Sequence, residues 1–288
     1  MNVRRAFLCM LALLSLLAGC SKQEKELVGG KDRPKEYFRM ICMNPGATEI
    51  IAGTFQMVPA IVGRSKSDNY PSKVETKPVV VDVKPDYEKI VKLKPDLIVY
   101  DSSLFSESDV EPLKKTNAEL YDIHSDTLAQ LKLHIRELSS MMHNETVASK
   151  SIDEIEDEEM NASANPLSPT PTVAYMIPDT NGMHMIAGTS SFWADAVNKM
   201  GGKLVGPSAN KFVTLNAESL IKDDPDYIIT AGSPDPIVKD SRFAVLKAVK
   251  NQHVYGINDE IALRVGARVV YLLQSVRKII SGQVVVKK

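Results

Sequence analysis

Cysteine, aromatic side chains, net charge and long apolar runs are all scarce in this 288-residue sequence. Three cysteines, Cys9, Cys20 and Cys42, are too few for a disulfide framework. Aromatics make up 6% of the chain, with a single tryptophan. A formal net charge of −1 removes any electrostatic reason to expect nucleic acid or an acidic membrane surface as partner. The histidines at 124, 134, 143, 184 and 253 are scattered and supply no ligand set for a free metal ion. Gly-x-Ser-x-Gly, His-Glu-x-x-His and a phosphate loop are missing too. No enzyme is expected on that inventory, and a two-lobed α/β enzyme with an unrecognised site stands as the alternative from another class.

What is present begins with an address. Arg4 and Arg5 precede "AFLCMLALLSLLAG", an apolar stretch too short to span a bilayer comfortably. It ends in "LAGC", Leu17 to Cys20, which resembles a bacterial lipobox whose cysteine is acylated. Residues 1–20 are therefore expected to be a lipoprotein signal peptide, with Cys20 as the lipidation site. Residues 21–37 are polar, contain Gly-Gly, and read as a flexible tether. Cys42, in the apolar run "RMICM", reads as a buried core thiol. The localisation implied is periplasm or cell surface, lipid-anchored to a membrane.

Beyond the tether, strand-like and helix-like segments alternate, which favours α/β layers. Strands are expected at 39–43, 60–64, 78–80, 96–100 and 119–123, with helices at 47–55, 86–93 and 107–116. The second half repeats the style, with strands at 172–177, 226–230 and 253–256. Its helices are expected at 190–200, 216–222, 241–249 and 261–280. Between the halves, Leu128, Leu131, Ile135, Leu138 and Met142 fall at helical spacing. Val147, Ala148, Ile152, Ile155 and Met160 continue as a second stripe beside six acids between Asp153 and Glu159, which read as a solvated face. "NPLSPTPT" then breaks regular structure. The organisation predicted is an α/β lobe over 38–142, a connecting helix over 143–163 and an α/β lobe over 170–282. "HIRE", His134 to Glu137, is read as surface on the connecting helical region.

Each half holds one copy of a helix-turn-strand unit. "YEKIVKLKPDLIVYDSS" starts at Tyr87 and "AESLIKDDPDYIITAGS" at Ala217, 130 positions later, so Glu88 meets Glu218 and Asp96 meets Asp226. Pro-Asp before an apolar strand is common turn chemistry, yet here the helix phase and the glutamate also coincide.

Five segments in order now carry a resemblance over most of 38–282. They are "NPGATEIIAG" at 44–53, "IVGRSKSDNYPSKVE" at 61–75, the first repeat unit, "IAGTSSFWADAVNKMGGKLV" at 186–205 and "RVGAR" at 264–268. Together they resemble the substrate-binding lipoproteins of ABC importers for cobalamin, ferric siderophores and haem. The resemblance implies two Rossmann-like α/β lobes joined by one long α-helix, with a ligand cleft between the lobes. It implies a monomer with no cofactor of its own, whose partners are a metal chelate and an importer permease with its ATPase. It also implies that Glu88 and Glu218 dock onto arginines of that permease.

A cleft of this kind is lined by loops at the carboxyl ends of strands. The ligand-facing candidates are Ser67, Tyr70, Asp82, Asp101, Phe212, Glu260 and Arg264, with the 178–183 loop also nominated. Arg64, Lys66, Lys211, Arg264 and Arg268 are the cations available to an anionic ligand. Ser67, Asp82, Asp101 and Ile177 fall where the cobalamin-binding branch of the family carries aromatics, and Phe212 alone keeps one. Corrinoid and ferric siderophore are the preferred ligands, with haem or a free metal as the alternative. Met183, His184 and Met185 alternate as on a strand and cannot all face one site.

Overall fold

The computed structural model describes residues 36–283. The signal segment, Cys20 and nearly all of the tether lie outside the described residues. Two sheets organise the chain. The first runs β3 (Val79–Val81), β2 (Ile61–Ser65), β1 (Met40–Cys42), β4 (Leu97–Tyr100), β5 (Glu119–Asp122), all parallel. The second runs β11 (Val254–Ile257), β10 (Tyr227–Ala231), β6 (Thr172–Ile177), β7 (Met185–Ala187), β9 (Phe212–Thr214). Its β8 (Lys203–Leu204) pairs with β6, and β7 runs antiparallel to both neighbours.

Strand periodicity assigns each side chain to one of three cores. Met40, Cys42, Leu97 and Val99 face inward, whereas Ile41, Met43 and Ile98 face an outer layer with Ile90 and Leu113. The second sheet does the same, with Val173, Tyr175 and Ile229 inward and Ala174, Met176 and Ile228 outward. The inner faces of both sheets share one continuous core with three helices: α1 (Leu128–Met141), α2 (Glu145–Ala164) and α3 (Val269–Ile280). Burial pushes the Cys42 thiol up, so it stays an inert apolar filler.

The buried stripe of α2 is Ala148, Ile152, Ile155 and Ala162. Val147 and Met160 are exposed instead, and the turn between Ile155 and Ala162 is filled by Glu159. Its carboxylate meets Lys132 of α1 at 2.5 Å and Lys199 at 3.4 Å, so this acid ties helices together. A depression of about 750 Å³ beside Lys132, Glu159 and Gly201 lies against α2. "HIRE" belongs to α1, ahead of the break at Met142–Asn144, and His134 is only partly exposed.

Several helices are shorter than their periodicity predicts. The first is α-helical only over Pro45–Thr48 and continues as a wide π-turn over Glu49–Thr54. The 107–116 segment turns to a 3₁₀ helix at Glu111, where Pro112 interrupts it. The 241–249 segment splits, since Asp240 caps Ser241–Phe243 and the Asp224 carboxylate accepts from the Lys247 amide. The 261–280 segment breaks between Asp259–Ala262 and α3, at the "RVGAR" turn.

The repeat has a structural answer. In the first copy the Asp96 carboxylate accepts from the amides of Phe38 (2.8 Å) and Arg39 (3.0 Å), and the Asp96 amide donates to the Arg39 carbonyl. In the second, Asp226 accepts from the Thr172 amide (2.8 Å) and hydroxyl (2.7 Å), and its amide donates to the Thr172 carbonyl. Each Pro-Asp thus staples the first strand of its lobe at its entry point. Lys94 and Asp224 end the two helices in the same left-handed conformation, at φ 47° and 41°. Asp96→Ala and Asp226→Ala should each cost about 1.5–3 kcal/mol, since each removes a charge-assisted anchor and orphans strand amides. Urea unfolding of the two variants checks this, and near-equal losses are expected.

Candidate functional site: an interlobe cleft

Loops after β1, β2, β4 and β5 meet the 259–265 segment and the starts of two second-lobe elements around a cavity of about 540 Å³. That volume lies within the usual ligand-pocket range of about 300–1,000 Å³. One wall is aromatic. Trp193 and Phe212 lie with ring centroids 4.5 Å apart, and Phe192 meets Trp193 edge-on at 6.1 Å. The Ala262 carbonyl fixes this wall by accepting from Trp193 Nε1 (2.7 Å) and from the buried Tyr175 hydroxyl (3.0 Å). Ser191 caps the helix Phe192–Lys199 and so sets where Trp193 projects.

The facing wall is polar. His124 stands between two carboxylates, with Nδ1 3.2 Å from Asp101 and Nε2 3.4 Å from Asp126. Asp101 also accepts from the Ser103 amide and hydroxyl. The loop bearing His124 is anchored from behind, because His134 Nε2 meets the His124 carbonyl at 3.0 Å. Tyr121 in turn holds His134 Nδ1 at 2.8 Å and donates to Glu137 at 2.6 Å. Burial, with Glu137 adding to it, pushes the Tyr121 phenol up and keeps it a donor. Within "HIRE", Arg136 and Glu137 are at the surface as expected, while His134, with Glu137 behind Tyr121, also supports the cleft loop.

Behind the cavity, an ion cluster joins the lobes. Glu49, 1% exposed, faces Arg268 at 2.6 Å and Arg264 at 3.3 Å. Arg264 also donates to Asn69 Oδ1 (2.7 Å) and the Ser67 carbonyl (3.0 Å), and Glu260 lies 3.4 Å from Arg268. The Asn69 amide, then Arg264 and Arg268, hold the Glu260 carboxyl below its usual range against partial burial. For Arg268, burial is outweighed by Glu49 and Glu260, so its guanidinium is held up. The approach is close enough that only glycine fits at 46, where a Cβ would stand 2.3 Å from the Val265 carbonyl oxygen.

Of the sequence-nominated residues, Ser67, Asp101, Phe212, Glu260 and Arg264 line the cavity. Tyr70 and Asp82 do not. Tyr70 lies under the Arg268 guanidinium, 4.3 Å from ring centroid to carbon, and Asp82 pairs with Lys66 at 2.8 Å. The 178–183 loop also stays outside the lining, folded around buried His184, which accepts from the Asp179 amide and faces Asp240 at 3.2 Å. Met183 and Met185 are exposed away from it. The aromatic wall of Trp193 and Phe192, and the pair His124–Asp126, were not foreseen. The signal available was the chain's single tryptophan, two positions after a helix-capping serine in "SSFWAD".

Arg64 is buried and spends its guanidinium on the carbonyls of Ser65, Asp68 and Glu75. With Lys66 on Asp82, both cleft arginines on Glu49 and Arg64 held by carbonyls, Lys211 is the nominated cation that lines the cavity with no ion-pair partner among the described residues.

Glu88 and Glu218 stand in the first turns of the helices Tyr87–Leu93 and Ala217–Asp223, both exposed. Each helix returns the chain to the amino end of a parallel strand, so each glutamate sits at the carboxyl edge of its own sheet. Among the described residues, no three His, Cys, Asp or Glu are placed to hold a metal ion, and no helix is long and apolar enough to cross a membrane.

Comparison with known proteins agrees with this architecture. An uncharacterised ABC transporter substrate-binding lipoprotein of Bacillus subtilis is 23% identical over 249 residues, covering 82% of this chain and 77% of that one. The periplasmic vitamin B12 binding protein of Vibrio cholerae superposes with a TM-score of 0.74 at 21% identity, covering 85% of this chain and 97% of that one. The periplasmic heme binding protein of the same species gives 0.72 at 17% identity, covering 84% and 98%. The sequence model of one family, described as periplasmic binding protein, matches residues 40–261, and the chain, with its paired α/β lobes, belongs to that family.

Proposed function

We propose that this protein is the substrate-binding component of an ABC importer, capturing a metal-chelate nutrient in the interlobe cleft and handing it to a membrane permease without catalysis. The observation that carries the reading is the cavity itself: a rigid aromatic wall facing polar groups across two lobes. An aromatic face suits the flat or apolar surface of a corrinoid, a haem or a ferric siderophore. Relatives named for vitamin B12 and haem binding support the same ligand range. No acid–base pair or activated nucleophile is needed for capture and release.

The test is a titration of the full chain in detergent with cobinamide, cobalamin, haem and several ferric siderophores, read through the emission of Trp193. Saturable binding of at least one chelate is expected. Binding of none would overturn the proposal and reopen the enzyme and free-metal readings.

The relatives named as lipoproteins support anchoring through an acylated Cys20. Cys20→Ser should move the protein from the membrane fraction to the released fraction, with ligand affinity unchanged. Membrane retention of that variant would refute the anchor.

A further inference from the structure

The cleft carries a specific balance of charge. Its one arginine, Arg264, is engaged by Glu49, Asn69 and the Ser67 carbonyl, and Glu260 is neutralised by Arg264 and Arg268. What remains uncompensated is Asp101, Asp126 and Asp259 against Lys211. No lysine or arginine among the described residues lies within ion-pair distance of those three aspartates. His124 bridges two of them, and even as a cation it would leave the cleft net negative.

We propose that the cleft selects its chelate by charge. It takes an apolar-faced metal chelate that is uncharged or cationic and rimmed by hydrogen-bond donors, and it rejects one bearing free carboxylates or phenolates. The inference rests on the reading of this chain as a chelate-binding protein and narrows it. The geometry gives each part of such a ligand a partner. Its flat or apolar surface covers Trp193 and Phe212, which offer faces and no acceptors. Amide or ammonium groups at its edge donate to Asp101 and Asp126 across the cavity, and to Asp259 at the second-lobe side. An anionic edge finds Lys211 alone, because Arg264 is already tied to Glu49, Asn69 Oδ1 and the Ser67 carbonyl, and detaching it would cost those contacts. Like-charge juxtaposition in a partly desolvated cleft is a strong basis for rejection.

Equilibrium dialysis of the full chain in detergent tests this with paired probes of similar size and opposite charge. One pair is a monocationic ferric tris-hydroxamate against a trianionic ferric tris-catecholate. The other is haem dimethyl ester against haem with free propionates. The less anionic member of at least one pair should bind roughly 100-fold more tightly than its partner. Asp259→Asn, an exposed change with little reason to disturb folding, should shrink that ratio by roughly tenfold. Tighter or equal binding of the anionic member in each pair that binds would overturn charge selection while leaving chelate capture intact. Binding of no probe, cobinamide included, would bring down both readings together.

Discussion

Replacing Glu49 by alanine is expected to lower the unfolding free energy by about 3–5 kcal/mol. Glu49 is 1% exposed, and the arginine side chains it serves, Arg264 and Arg268, are 12% and 14% exposed. Removing the carboxylate leaves two guanidinium groups without their closest anion at a seam where water enters poorly. Glu260 compensates only in part, since it stands 3.8 Å and 3.4 Å from the two arginines and already accepts from Asn69. The cluster is not fully satisfied even when intact, because Glu49 Oε2 and Arg268 Nε have no hydrogen-bond partner among the described residues. A double change, Glu49→Leu with Arg268→Leu, should therefore recover much of the loss, as apolar replacements of buried ion pairs often do. Denaturant midpoints of the single and double variants decide the matter. A loss below about 1 kcal/mol for Glu49→Ala would mean that apolar packing alone holds the lobes. Solution scattering should in addition register a broader envelope for the single variant.

The second large effect concerns transport. With Glu88 and Glu218 both changed to alanine, ligand affinity should stay almost unchanged, because neither residue lines the cleft. Glu88 is 90% exposed, with only a loose 4.0 Å approach to Lys92, so its carboxylate is free to meet a partner. If each glutamate meets a basic socket on the permease, loss of a close interfacial charge pair costs about 1.5 kcal/mol or more. The double variant then docks roughly 100-fold more weakly, and uptake falls. The gap from wild type should narrow at high salt, where the attraction that the glutamates supply is itself screened. Arginine at either position should harm uptake more than alanine does, by setting like charges against each other. Uptake assays at two salt concentrations, beside ligand titrations of the same variants, separate docking from capture. Normal uptake by the double alanine variant would leave the repeat as a strand staple only.

Local patterns in the sequence were enough for much of the fold. Strands such as Thr172–Ile177 and Leu97–Tyr100 are continuous apolar runs, and the two Pro-Asp units mark entry to β4 and β10. Helix ends were harder to read. The break at 263–268 has no periodicity signature, because it is imposed by the contact of Gly266 with Gly46, residues 220 positions apart. The same distance problem hid the ion cluster: Arg268 reads as a cation available to a ligand until the π-turn at Glu49 is folded against it. Phe212 could be nominated as an aromatic at a loop edge. Trp193 was obscured because its direction depends on a cap, and on a carbonyl at Ala262 that only the closed second lobe supplies.

The shared core has a consequence for how the molecule is made. The inner face of the first sheet is covered by α1 and α2, whose remaining apolar surface is in turn completed by α3. Leu272, Leu273, Val276 and Ile280 of α3 are buried there, within the last segment of the described chain. Ribosomal synthesis delivers residues from the amino end, and domains that close on local contacts can finish folding while the rest is still being made. Here that closure should depend on α3, which shares the core of the first sheet. The amino-terminal half waits with an open apolar flank until the final helix emerges, so a nascent or truncated product lacking α3 should be held by chaperones rather than folded. The lobes are two in shape, and one in assembly.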